Sequence, residues 1–258
     1  MNLNLPKIKI DQEKIKAFTK KILQDKYDKI LSDLRELEEE NPDDMRVKQK
    51  IAEILFRKDH IDDAIAKYRE VAEHFEREDF ILKAIKAYQN ILKIRPFLVD
   101  YNLKLANLYL KIGMTREASN QYRIAINHYA NLGDADQTIT LSQNLVKIDP
   151  SLENRAKLAE IYQSNGMKQD AITQYEALAK EYRLKKDYEK LLHFYELILP
   201  HKPENATLLR DVCILHLRQK RPERALKLIE HYKAMERPDF EDLINKAKLM
   251  IEALKRQG

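Results

Sequence analysis

The sequence predicts an all-α protein, and three observations carry the prediction. Turn material is scarce: the 258 residues include 4 Gly and 8 Pro, where average usage would supply roughly 30. The many tight corners of a sandwich or barrel cannot be built from so few. Charged residues make up 34% of the chain and hydrophobic residues 44%. The remainder is rich in Leu, Lys, Glu, Ala and Ile, the better helix formers, and this apolar content is enough to build a core. The third observation is self-similarity at a spacing of 53 to 54 residues, the mark of a stacked array rather than of one layered core.

Taken in order, the first two helices are expected near 11–24 and 27–40, the second reading KYDKILSDLRELEEENP and closing at Pro42. Helix 44–58 holds an apolar-small pair, Ile51 and Ala52, with Leu55 one turn on. Helix 61–78 starts with Asp62 and Asp63, where carboxylates meet the helix dipole, and continues with Ala64 and Tyr68. Its second half, with Val71, Ala72 and Phe75, pairs in pattern with helix 80–94, which carries Ala84, Tyr88 and Ile91 and ends before Pro96. The triplet recurs near 97–112, 115–131 and 134–148, with Leu105, Ala106, Tyr109, Ala118 and Tyr122, closing at Pro150. It recurs again near 152–165, 168–184 and 187–199, with Leu158, Ala159, Tyr162, Ala171 and Tyr175, closing at Pro203. The last helices, near 204–219, 223–235 and 239–255, keep Val212, Cys213, His216, Ala225 and Ile229 in the same slots. The spacings put these residues on one face of each helix, with small side chains where backbones must approach. Prolines at 42, 96, 150 and 203 punctuate the array, because proline cannot continue a helix interior.

The stretches LANLYLKIGMTREASNQY and LAEIYQSNGMKQDAITQY, with Gly113 and Gly166 at the turn, resemble the tetratricopeptide repeat (TPR) family. Asp59 and Lys220 replace that glycine in the outer copies. Lys48, Asn102, Arg155 and Leu209 stand where the family has a large aromatic, and the chain has no Trp. The family period is about 34 residues; here each unit holds three helices, the second serving two hairpins. The resemblance, to a bacterial-type stand-alone TPR protein, implies a right-handed α-solenoid of about 14 antiparallel helices. A flexible segment 1–10 precedes a single domain over 11–258. If helices simply alternate, equivalent helices of successive units fall on opposite walls.

Chemistry is sparse by comparison. One cysteine, Cys213, excludes an intramolecular disulfide. No HExxH, paired CxxC, GxSxG or phosphate-loop pattern is present, so no catalytic, cofactor or metal residues are assigned, and no cofactor is expected. His60, His74, His128, His193, His201 and His231 are scattered, and His216 occupies an aromatic core slot, where a buried histidine is expected. No stretch reaches the roughly 18 uncharged apolar residues of a membrane span, and the start has no signal-peptide core, so a cytoplasmic protein without membrane insertion is expected. Net charge is +5, from 47 basic and 42 acidic residues. An acidic run lies between Asp33 and Asp44, and Arg218, Lys220, Arg221, Arg224 and Lys227 crowd one turn, able to contact phosphate or an acidic partner.

The resemblance implies a non-enzymatic scaffold or adaptor holding a peptide or helix of another protein. A nucleic-acid-binding helical repeat and a regulatory module of an enzyme complex are the alternatives. Nucleic acid is disfavoured because a concentrated basic stripe with exposed aromatics is the usual signature. In the family, the slot of Lys50, Lys104 and Lys157 looks into the concave groove, which implies an acidic ligand. Glu53 and Glu160 follow two of these lysines by three residues and can neutralise them. Lys104, Asn107 and Lys111 form an uncompensated donor cluster by this reading, and rank ahead of Lys50 and Lys157 as partner-binding residues.

Overall fold

The computed structural model describes residues 12–256; the segment expected to be flexible, 1–10, lies outside them. Thirteen α-helices and no strand occur among the described residues: α1 Gln12–Glu40, α2 Met45–Arg57, α3 Ile61–Arg77, α4 Ile81–Ile94, α5 Val99–Lys111, α6 Thr115–Leu132, α7 Ala135–Ile148, α8 Leu152–Ser164, α9 Lys168–Leu184, α10 Tyr188–Ile198, α11 Ala206–Arg218, α12 Pro222–His231 and α13 Glu241–Lys255. Short 3₁₀ turns at Leu199–His201 and Pro238–Phe240 precede α11 and α13. The fold is all-α and TPR-like: consecutive helices pack on each other from α1 to α5, and again from α7 to α13. It divides into two compact units, residues 1–128 and 129–258.

The first two expected helices are one, α1, of 29 residues. Between Asp11 and Glu40 there is neither Gly nor Pro, so nothing interrupts the hydrogen-bond ladder until Asn41 and Pro42. Elsewhere the boundaries follow local chemistry. Asp44, Asp134, Ser151, Asp187 and Asn205 each accept a hydrogen bond from a backbone N–H in the first turn of the following helix, satisfying donors a helix start leaves open. Turns close with one recurrent device. At Gly166, φ is +77°, its N–H bonds the Gln163 carbonyl, and the Met167 N–H bonds the Tyr162 carbonyl. This left-handed cap suits glycine. Asp59, Asp79, Lys186, Lys220 and Lys233 take the same conformation, with φ between 53° and 66°.

In the first unit, Ala52, Ala64, Ala72, Ala84 and Ala106 are wholly buried beside Ile51, Tyr88 and Ile91. In the second, one core joins α8 to α13 through Leu158, Tyr175, Leu178, Ile198, Val212, Ile229 and Phe240. Backbones come close at the small slots: the Cys213 thiol on α11 lies 3.7 Å from the Ala225 carbonyl on α12.

Candidate interaction groove

The donor cluster expected on α5 is not uncompensated. Lys104 Nζ lies 3.7 Å from Glu73 Oε1 and donates to Tyr88 Oη at 3.2 Å. It also stands 5.4 Å from the Tyr88 ring centre. Tyr88 Oη in turn donates to Glu76 at 2.7 Å, and burial, reinforced by that carboxylate, pushes its phenol far above the ordinary range. Lys104 is therefore tied to carboxylates of α3 and a ring of α4. Asn107 and Lys111 are exposed on the same helix. Lys50 pairs with Glu53 at 2.7 Å, as its spacing implies. Lys157 pairs instead with Glu153, one turn earlier, at 3.1 Å, which leaves Glu160 unneutralised.

Lys157 borders a groove of about 1000 Å³ in the second unit, between α8 and α10 with the end of α9 as its floor. The floor is aromatic. Tyr182 on α9 and Phe194 on α10 stack with centroids 5.6 Å apart and planes 12° apart, and Tyr175 supports Phe194 from below at 5.8 Å. Lys190 Nζ stands 5.2 Å from the Tyr182 ring centre and 3.9 Å from Asp187. The walls hold charges of both signs. Lys157 and Lys190 are matched, whereas Arg155, Lys185, Glu160 and Glu181 line the groove without an ion pair among the described residues. Two repeats earlier, the first unit has a smaller cleft of about 400 Å³ lined by Phe75, Lys83 and Lys86. There Lys83 Nζ lies 5.2 Å from the Phe75 ring centre, so the lysine-on-aromatic pair is repeated.

Sequence reasoning missed Arg155, Tyr182, Lys185 and Phe194. A signal existed: Phe75 and Lys83 occupy the same repeat slots as Tyr182 and Lys190.

Among the described residues, no group of three His, Cys, Asp or Glu side chains is placed to hold a metal ion, and no helix is long and apolar enough to cross a membrane. Burial pushes the Cys213 thiol up to about 12, away from the thiolate form that reacts. His216 is fully buried, with Nε2 3.1 Å from Glu196. Burial lowers its pKa, Glu196 opposes, and Arg224 and Arg221 act in the same direction as burial. The fold thus keeps the ring neutral, while the unfolded chain takes up a proton below about pH 6.5. The stability this contributes is complete above that value and is lost as pH falls toward the depressed pKa. Urea midpoints of wild type and His216→Phe should therefore diverge between about pH 7.5 and about pH 5, wild type losing more. Parallel curves would show that His216 does not titrate.

Groove and core together define a protein of packed helical hairpins with an open cleft in its second unit. Residues 157–184, most of α8 and α9, match the family model described as tetratricopeptide repeat. No protein of curated function matches it. Among solved structures, a tetratricopeptide repeat protein from Parabacteroides merdae is 13% identical over 92% of this chain and 98% of that one, with a TM-score of 0.29. The C-terminal part of a TPR repeat-containing protein from Cytophaga hutchinsonii is 13% identical over 74% and 91%, TM-score 0.32. A thermophilic TPR protein from Thermus thermophilus is 17% identical over 74% and 100%, TM-score 0.28.

Proposed function

We propose that this protein is a non-enzymatic, cytoplasmic scaffold or adaptor that holds a peptide or helix of a partner protein in the groove between α8 and α10. The observation that supports this is the stacked Tyr182–Phe194 floor beneath walls whose Arg155, Lys185, Glu160 and Glu181 form no ion pair among the described residues. Tyr182 and Phe194, 8% and 5% exposed, give the groove a rigid floor, and the unmatched charges of its walls supply register. Charges of both signs favour a partner segment that also carries both, rather than the uniformly acidic one that Lys104, Asn107 and Lys111 would select. Of the five lysine-slot and neighbouring residues, Lys157 is the one that borders this groove.

A photo-crosslinking residue placed at Arg155 or at Lys185 in the native cell tests the proposal. The expected result is the same discrete partner from both positions, lost from the Lys185 position when Arg155→Glu and Glu181→Lys are combined. Equal yield from a crosslinker at Lys93, on α4 of the other unit, would overturn it.

A further inference from the structure

Two charge-dense turns, well separated in sequence, meet on the second unit. RLKKDYEK at 183–190 and RQKRPERALK at 218–227 carry nine basic side chains against three acidic. The Arg218 guanidinium carbon lies 5.3 Å from the Tyr188 ring centre, which joins the α11–α12 turn to the α9–α10 turn. Both turns close on a lysine in the left-handed conformation, Lys186 at φ 57° and Lys220 at φ 56°.

Few of these charges are neutralised. Lys185, Lys186, Arg218, Lys220 and Arg221 are exposed and form no ion pair among the described residues, and Arg224 reaches only Glu196, at 4.0 Å. Arg183 pairs with Asp211 at 2.6 Å, and Asp187 both caps α10 and pairs with Lys190 at 3.9 Å, leaving Glu189 and Glu223 as the remaining acids of the two turns. Between the cations sit Tyr188, 41% exposed, and Leu184, 73% exposed. Like charges held together without counter-charge attract a polyanion. Forked guanidinium donors match phosphate oxygens, and an exposed ring among cations offers a base a stacking face, which a run of carboxylates would not use.

We infer that this ridge binds single-stranded nucleic acid, with the backbone phosphates on Lys186, Arg218, Lys220 and Arg221 and a base on Tyr188. Lys186, Arg218, Lys220, Arg221 and Tyr188 lie outside the groove lining, whereas Lys185, Asp187 and Lys190 of the same turn border the groove. The fold supplies the concentrated basic stripe and exposed ring that neither segment shows alone.

The test is fluorescence anisotropy of the full chain with a labelled oligo-dT of about 15 nucleotides. With about four phosphates neutralised, affinity should fall roughly fifty-fold between about 50 and about 200 mM salt. Combining Lys186→Gln, Arg218→Gln, Lys220→Gln and Arg221→Gln should lower affinity at least about tenfold and flatten the salt dependence. The charge-matched set Lys93→Gln, Arg116→Gln, Lys147→Gln and Lys246→Gln should change it less than about twofold. Tyr188→Ala should weaken binding about five- to tenfold with the salt slope retained, and unchanged helical circular dichroism keeps each variant interpretable. Absence of salt-dependent binding, equal loss in both charge sets, or equally tight binding of a labelled poly-glutamate peptide would each overturn the inference. The last result would assign the ridge to an acidic polypeptide.

Discussion

Tyr175→Ala is expected to destabilise the second unit by about 3–5 kcal/mol, the range for removing a buried aromatic ring. Tyr175 is 1% exposed, belongs to the core that joins α8 to α13 and packs 5.8 Å from Phe194. The remaining cavity would lie directly beneath the groove floor. Tyr175→Phe separates the ring from its hydroxyl, which donates to Gln163 at 2.6 Å. Because Gln163 is exposed and water can replace that bond, the phenylalanine variant should lose only about 0.5–1.5 kcal/mol. Amide hydrogen exchange resolves the second unit from the first, and equal losses in the two variants would move the stabilisation from ring to hydroxyl.

Overpacking should be felt at the small slots. Ala171 on α9 is 2% exposed and Ala118 on α6 is wholly buried, so leucine at either has no vacant volume to occupy. Each substitution should cost about 1–3 kcal/mol through displaced helices and off-rotamer neighbours. Lys93→Gln, on an exposed face, should stay within about 0.5 kcal/mol. Similar thermal midpoints for all three would mean that the repeat alignment has the wrong residues facing inward.

Most helices were legible because each is written in its own residues: apolar-small pairs, capping side chains and the prolines at 96, 150 and 203. The join inside α1 was not, since a helix end needs a positive signal and residues around Gln24 to Tyr27 carry none. Side-chain pairing was legible only within a helix. Lys50 with Glu53 could be anticipated, but Lys104 meets Glu73 and Tyr88 from two other helices, and no spacing encodes that meeting. Arg155 was noted as an aromatic slot gone missing, without its place on a groove wall. The Arg218 cluster was visible as a run; its neighbours Lys186 and Tyr188 became visible only once α10 and α11 were packed.

The left-handed turn residues have a consequence for how such a protein can change. Asp59, Asp79 and Gly113 hold that position in the first unit, Gly133 and Gly166 in the turns that follow, and Lys186, Lys220 and Lys233 toward the end. A non-glycine residue there costs about 1–2 kcal/mol, and in return its side chain projects from the tip of the turn without disturbing the core. Each turn is thus an address at which one codon alters the charge of an edge, while the buried alanines and tyrosines stay as they are. Between one non-glycine side chain and another, such a turn can change its charge at nearly constant stability.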